Sequence, residues 1–318
     1  MILIEEAAPA KVNLVLQVGP RRDDGLHELC SLFASIDLSD AVAVEPAPAE
    51  PDEVICPGVE GPNLASDAIA AFRANAASLP PLRVAIEKRI PVAAGLGGGS
   101  ADAAAVLRAC NRLAGEPLEP DGLRALGARV GADVPSQIEP RHALVTGAGE
   151  HVEPIDLPPL ALVLVPSDEG LSTAAVFAEL DRLGAARPSL DPDAVRAAAA
   201  ALRATGSAPG APEPAAGSPP PSGSPPPSSS PGPSGSARPS GSPPHPDLDA
   251  LLDNDLERAA LSLRPELADT LAAVRDTGAL AARLTGSGPT VFGVYRDRPS
   301  ARAAADRLPG ARVASLRS

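Results

Sequence analysis

The sequence predicts a mixed α+β protein of two domains, with a disordered insertion in the second domain. Short β-rich segments alternate with helical segments along most of the 318 residues, and this interleaving is typical of mixed folds. We place the two domains at residues 1–155 and 156–318. Between residues 207 and 246, 32 of the 40 positions are Pro, Ser or Gly. Such a segment has little apolar surface to offset the entropy lost on ordering, so we expect it to be disordered.

In the N-terminal domain, β-rich or alternating runs predict strands, and runs with helical periodicity predict helices. The predicted strands lie at residues 12–18, 41–44, 82–87 and 142–145. One predicted helix follows Asn63, an N-capping residue, and two more lie at residues 100–113 and 120–130. We expect a turn at residues 131–135.

The C-terminal domain continues the same alternation on both sides of the insertion. The predicted strands lie at residues 160–165, 281–284, 290–295 and near 313. The predicted helices lie at residues 173–183, 191–203, 248–262, 265–276 and 300–308. Both domains are therefore predicted to contain helices and strands.

Composition excludes several classes of function. The 40 acidic and 27 basic residues give a net charge of −13, which disfavours nucleic acid and anionic membrane surfaces as partners. Three widely spaced cysteines form neither a disulfide framework nor a zinc signature, and they fit a reducing cytosol. The N-terminus carries acids where a signal peptide carries bases, and no apolar run could span a bilayer. We therefore expect a soluble cytoplasmic protein that binds small molecules.

The two lysines stand out because the other 25 basic residues are arginine. A lysine retained in such a background suggests a need for a compact ammonium group rather than a planar guanidinium. Lys11, in a predicted strand, is therefore a candidate functional residue. Lys88 follows the predicted strand 82–87, and we expect it to be exposed to solvent.

The glycine-rich segment at residues 91–101 carries the strongest functional signal. Four glycines in five positions allow backbone N–H groups to converge on an anion, and the following helix adds its positive end. The segment lacks the Gly-Lys-Ser/Thr of a P-loop and departs from the dinucleotide fingerprint. A tight turn without a ligand usually needs only one or two glycines, so we interpret the segment as a phosphate-binding loop. Its residues are Pro91, Val92, Ala93, Ala94, Gly95, Leu96, Gly97, Gly98, Gly99, Ser100 and Ala101.

This loop resembles the nucleotide loop of the GHMP kinases, and the resemblance covers residues 5–200 and 247–316. The other matching segments are PAKVNLVLQV (9–18), RRDDGLHEL (21–29), GADVP (131–135), ALVTGAGE (143–150), NDLE (254–257) and LTGSGPTVF (284–292). The resemblance implies a two-domain GHMP kinase fold that uses ATP and Mg²⁺. PAKVNL and DGLHEL point to the branch whose acceptor is the 2-hydroxyl of 4-diphosphocytidyl-2-C-methyl-D-erythritol, in the non-mevalonate route to isoprenoids.

The resemblance also implies roles for residues at the phosphate-transfer end of the site. Asp133 would be the general base, and Lys11 would be its partner. Asn63 would contact ATP, and Ser100 would meet the metal ion or a phosphate oxygen. Taken alone, Asp133 also suits a turn or a helix cap, Lys11 a solvated strand position, and Asn63 an N-cap.

At the acceptor end, the resemblance implies that Asn13, His27, Phe177, Gly286 and Ser287 bind substrate. Phe177 would stack on the cytosine ring. Ordinary alternatives exist for three of these features. His27 suits a surface histidine, Phe177 suits core packing, and the Gly286–Ser287 segment suits a sharp turn between strands.

Two departures from the family pattern concern the acceptor rather than the phosphoryl transfer. Leu26 stands where the family usually has a tyrosine that stacks on the cytosine base. Ser136 and Gln137 replace the aromatic pair that usually follows GADVP. Loss of one stacking face would cost roughly 1 kcal/mol. Two alternatives therefore stay open, namely a GHMP kinase for a different small alcohol and a nucleotide-binding protein without catalysis.

Overall fold

The computed structural model describes residues 2–48, 50–59, 61–206 and 247–317. It contains two sheets with helices packed on each, so the predicted α+β class is confirmed. The insertion predicted at residues 207–246 lies outside the described residues. Within the described ranges, no helix is both long enough and apolar enough to cross a membrane.

The first sheet has six strands and is built on a long antiparallel pair. Its strands are β1 (Ile4–Arg21), β2 (His27–Pro46), β3 (Glu53–Ile55), β4 (Leu82–Glu87), β5 (Ala143–Gly147) and β6 (His151–Pro154). The order is β3-β4-β2-β5-β6, β1 pairs with β2, and only the β3–β4 pairing is parallel. Four helices belong to this half: α1 (Leu64–Asn75), α2 (Gly98–Leu113), α3 (Pro120–Gly127) and α4 (Val134–Ile138). Residues such as Phe72 and Leu107 bury their side chains between these helices and the sheet.

The second sheet has four antiparallel strands in the order β10-β7-β9-β8. Its strands are β7 (Ala161–Val165), β8 (Ala281–Leu284), β9 (Val291–Tyr295) and β10 (Arg312–Ser315). The helices of this half are α5 (Thr173–Leu183), α6 (Pro192–Gly206), α7 (Leu248–Leu251), α8 (Glu257–Leu263), α9 (Leu267–Arg275) and α10 (Arg298–Ala305). One apolar core joins the two sheets, with Leu14 and Ile36 from the first and Leu162 and Phe292 from the second.

The structure corrects several predicted elements. Strands β3 and β6 were missed, and β1 and β2 are much longer than predicted. The turn expected at 131–135 runs directly into α4. The single helix expected at 248–262 is two helices, α7 and α8. It breaks because the backbone N–H of Leu16 donates to Asp253, while that of Asp255 donates back to Leu16.

Candidate active site

A cleft of about 400 Å³ lies where β1, the glycine loop, α5 and the β8–β9 turn meet. Most of the side chains and loop residues predicted for the site line it: Lys11, Asn13, Asn63, residues 91–100, Asp133, Phe177, Gly286 and Ser287. Two predicted residues do not line it. Ala101 is buried inside α2, and His27 is buried next to Phe177. The fold therefore gathers into one cleft residues that are up to 276 positions apart in the chain.

Lys11 and Asp133 form an ion pair in this cleft, with 3.3 Å between Nζ and the carboxylate Oδ2. Lys11 is nearly buried, and its ammonium also donates to Asn13 Oδ1 at 2.6 Å and lies 4.6 Å from the ring centre of Phe33. The Asp133 side chain is 32% exposed. The lysine is therefore held in place by several groups, while the carboxylate remains accessible from the cleft.

The backbone around Asp133 is held by a close contact between two loops. Asp133 is the residue before α4, and its carbonyl oxygen accepts a hydrogen bond from the Ser136 hydroxyl at 2.8 Å. A Cβ at Gly149 would lie 2.2 Å from the carbonyl oxygen of Ala132. Asp133 is thus both a helix-terminal residue and a member of the cleft, and only a glycine at position 149 permits this placement.

The glycine segment leads into α2, as predicted, but the helix begins at Gly98, two residues before the predicted start. Gly97 precedes α2 in the left-handed conformation, with φ of 70°, and a Cβ there would lie 3.0 Å from Cγ of Lys11. The carbonyl oxygen of Leu96 accepts a hydrogen bond from the Lys11 backbone N–H at 3.0 Å. A helix N-terminus that opens on a cleft favours anions. The loop and the Lys11 strand are therefore fastened to each other beside a site suited to phosphate.

The turn between β8 and β9 closes on the glycine loop from the other side. Asn254 is buried, and its amide donates to the carbonyl oxygens of Leu284 and Gly286 at 2.8 and 2.9 Å. The backbone N–H of Asn13 donates to Thr285 Oγ1 at 3.0 Å. Asn254 lies in the NDLE segment, but nothing in the sequence indicates that its amide holds this turn.

The part of the site that the resemblance assigns to the acceptor contains a packed pair of rings. The ring centres of His27 and Phe177 are 5.3 Å apart, at an interplanar angle of 30°. His27 Nδ1 lies 2.9 Å from the carbonyl oxygen of Gly19, and Nε2 lies 3.2 Å from Asp181. His27 is therefore not the surface residue that its sequence context alone suggests. Leu26 is 51% exposed and is not among the residues that line the cleft.

Asn63 is an N-cap, as one of its two interpretations predicts, and it also lines the cleft. Its side-chain oxygen accepts the backbone N–H of Ala65 at 2.9 Å and so caps α1. The same residue lines the cleft on the side of Cys56 and Val59. Capping therefore does not remove Asn63 from the site.

Lys88 contradicts its predicted exposure. Its side chain is only 12% exposed, and its ammonium lies 2.5 Å from Asp40 and 2.8 Å from Asp102. Burial lowers the pKa of Lys88, but the two carboxylates outweigh burial and raise it. Burial raises the pKa of Asp102 to about 7, against the hydrogen bond from Lys88. The rarity of lysine in the chain indicated a specific role for both lysines. For Lys88 this indication was set aside, because a position at the end of a strand is usually exposed to solvent.

Sequence comparisons agree with this geometry. The family models "GHMP kinases N terminal domain" and "GHMP kinases C terminal" match residues 63–139 and 244–313. A 4-diphosphocytidyl-2-C-methyl-D-erythritol kinase from Kineococcus radiotolerans is 39% identical over 312 residues, which cover 93% of this chain and 82% of that protein. The chain belongs to the GHMP kinase family. An Anaeromyxobacter dehalogenans protein of the same name is 40% identical over 312 residues. The aligned region covers 95% of this GHMP kinase and 84% of that protein.

Solved structures place the fold of this GHMP kinase in the same family. A crystal structure of 4-(cytidine 5'-diphospho)-2C-methyl-D-erythritol kinase has a TM-score of 0.73 and 33% identity, and the match covers 99% of this chain and 100% of the other. Homoserine kinase from Cytophaga hutchinsonii has a TM-score of 0.65 at 17% identity, over 99% and 94% of the two chains, and so shares the fold. The predicted two-domain GHMP kinase fold is confirmed.

Proposed function

We propose that this GHMP kinase transfers the γ-phosphoryl group of ATP to the 2-hydroxyl of 4-diphosphocytidyl-2-C-methyl-D-erythritol, as a cytoplasmic enzyme of the non-mevalonate route. The observation that carries the proposal is the Lys11–Asp133 pair, 3.3 Å apart, in the cleft that the glycine loop lines. The relatives that share 39–40% identity over most of the chain bear the name of this kinase.

The glycine loop and the start of α2 would receive the triphosphate of ATP. Backbone N–H groups at a helix N-terminus attract phosphate oxygens, and this one lines the cleft. Magnesium bound with ATP would neutralise charge on the transferred phosphoryl group. Ser100, in the first turn of α2, is our candidate for contact with the metal or with a phosphate oxygen. Asn63 would contact the nucleotide on the wall beside the loop.

The Lys11–Asp133 pair would act on the acceptor hydroxyl. As its oxygen attacks the γ-phosphorus, the hydroxyl proton passes to the carboxylate of Asp133, and ADP leaves with the electrons of the broken P–O bond. Lys11 would stabilise the negative charge that develops on the attacking oxygen. The hydrogen bond from Lys11 to Asn13 and its contact with Phe33 hold the ammonium in position before substrate arrives.

The acceptor would bind at the end of the cleft formed by Phe177, Gly286 and Ser287, with Asn13 between this end and Lys11. Phe177 offers a ring face for the cytosine, and His27, whose ring centre lies 5.3 Å from that of Phe177, would also contact the substrate there. The specific argument for another alcohol is Leu26, which provides no second aromatic face. We retain a different acceptor as the second candidate for this reason.

Magnesium-dependent ADP release with four acceptors tests the proposal: the cytidyl compound, homoserine, galactose and mevalonate. We expect turnover with the cytidyl compound alone. Turnover with another alcohol alone would overturn the acceptor and keep the kinase. ATP binding without turnover on any acceptor would favour the non-catalytic alternative.

Asp133→Asn tests the proposed base. We expect kcat to fall by about 10²–10⁴, the usual contribution of general base catalysis, with ATP binding nearly unchanged. Asp269→Asn, in the exposed first turn of α9, is the matched control and should leave kcat unchanged. Full turnover by Asp133→Asn would exclude Asp133 as the base.

A further inference from the structure

The Lys88 cluster connects three separate elements beneath the glycine loop. Lys88 follows β4, Asp40 lies in β2, and Asp102 lies in α2. The side chains of Asp40 and Asp102 are 0% and 3% exposed. The lysine ammonium donates to both carboxylates. These residues were not predicted for the site. Lys88 and Asp102 nevertheless line the cleft, and the proposed chemistry at Lys11 and Asp133 does not use them.

The cluster holds the glycine loop at both of its ends. Asp40 also accepts the backbone N–H groups of Arg89 and Ile90, at 2.5 and 2.8 Å, which fixes the chain just before the loop. Asp102 lies in α2, whose first four residues, 98–101, are also the last residues of the glycine segment. Lys88 therefore joins the segment that leads into the loop to the helix that leads out of it.

The packing around the ammonium leaves little freedom. A Cβ at Gly98, the first residue of α2, would lie 3.2 Å from Lys88 Nζ and 3.1 Å from Cγ2 of Ile90. The start of α2 thus rests directly on the cluster. A shift of Lys88 would be transmitted to the backbone N–H groups of the loop.

The charges of the cluster do not balance. Two acidic side chains share one ammonium, and the buried Asp102 Oδ1 has no hydrogen-bond partner among the residues that the structure describes. Without the Lys88 ammonium, two buried acidic side chains would face each other, the charged form of Asp102, whose pKa burial already raises, would be disfavoured further, and the bridge between β2 and α2 would be lost. Replacing Asp102 with Asn as well would remove its remaining charge opposite Asp40.

We propose that Lys88 is a positioning residue that sets the geometry of the glycine loop for the triphosphate by bridging Asp40 and Asp102. The inference rests on the proposed function, because it takes the glycine loop as the site of the ATP phosphates. It predicts that the cluster controls the apparent affinity for ATP, while the acceptor KM depends on other residues.

A double-mutant cycle with Lys88→Met and Asp102→Asn tests the inference, with ATP binding measured by calorimetry and KM measured for both substrates. We expect Lys88→Met to weaken ATP binding by about 10- to 100-fold, the scale of a small misplacement in a site. The acceptor KM should change less than about threefold, within ordinary context effects. The double variant should bind ATP at least about fivefold more tightly than Lys88→Met, because contacting groups couple.

Additive effects of the two substitutions on ATP binding would overturn the inference. If Lys88 contacted ATP directly, its loss would weaken ATP binding by the same factor with or without the charge of Asp102. Arg89→Met is the matched control, since the Arg89 side chain is exposed and its only ion pair among the described residues is with Glu87, while its backbone hydrogen bond to Asp40 does not depend on the side chain. An equal loss of ATP binding in this control would also overturn it. If Lys88→Met does not fold, Lys88→Gln and its double variant provide the same comparison. If the wild-type protein failed to bind ATP, the proposed function itself would fall, which is a separate result.

Discussion

Replacing Gly95 with alanine should weaken both the fold and ATP binding, because Gly95 lies where the glycine loop touches the β8–β9 turn. Its φ is 75°, in the left-handed region. A Cβ at this position would lie 2.7 Å from the carbonyl oxygens of both Thr285 and Gly288. Both obstacles are backbone atoms, so a side-chain rotation cannot relieve the overlap.

The expected loss of stability has two parts. The left-handed conformation costs an alanine roughly 1–2 kcal/mol. Forcing an extra methyl group into a packed contact costs typically about 1–3 kcal/mol. The free energy of unfolding should therefore fall by about 2–5 kcal/mol, and each kcal/mol should lower Tm by about 2–4 °C.

Gly115→Ala is the matched control for Gly95→Ala. Gly115 has φ of 82°, and a Cβ there would meet no atom within 4 Å. The free energy of unfolding of Gly115→Ala should fall only by the cost of the left-handed conformation, about 1–2 kcal/mol. Its ATP binding should be normal. The assay is chemical unfolding of both variants together with ATP calorimetry. Equal stability losses in the two variants, or wild-type ATP binding by Gly95→Ala, would refute the reasoning.

Two further predictions concern the proposed base, Asp133, and the buried His142. Gly149→Ala should lower kcat at least about tenfold, because its Cβ would displace the Ala132 carbonyl oxygen, 2.2 Å away, and with it Asp133; an unchanged kcat would contradict this. Burial lowers the pKa of His142, which accepts the backbone N–H of Ser35. The unfolded chain therefore binds this proton more readily, so Tm should fall as pH drops below about 6.5. The same fall in His142→Gln would show that another group is responsible.

Much of the secondary structure was predictable because its signals are local. The strand at 82–87 and the helix at 173–183 have the bounds expected from periodicity. The short strands β3 and β6 were missed, since three or four residues carry too little pattern. The break between α7 and α8 was missed for a different reason. It depends on backbone hydrogen bonds to Leu16, more than 200 positions away.

In the candidate site too, features set by a contiguous stretch of sequence were predictable, and features that depend on distant residues were not. The glycine loop was visible in the sequence because its glycines and the start of α2 are contiguous. The placement of Lys11 beside Asp133 was expected only from the resemblance to a family, since 122 positions separate the two residues. Lys88 was wrongly predicted to be exposed, and it is largely buried. Its partner Asp40 lies 48 positions away, and no local pattern indicates that strand β2 brings this carboxylate to it.

The sequence by itself determined the mixed class, most helices and strands, and a loop suited to phosphate. These features depend on side-chain periodicity and backbone freedom within a few residues. Only the tertiary structure decided which polar groups lose water and which partners they meet: Lys88 between two carboxylates, His27 behind Phe177, and Asn254 beneath the β8–β9 turn. Burial and ion pairing depend on the packing of distant segments, so their outcome is absent from any local stretch of the chain.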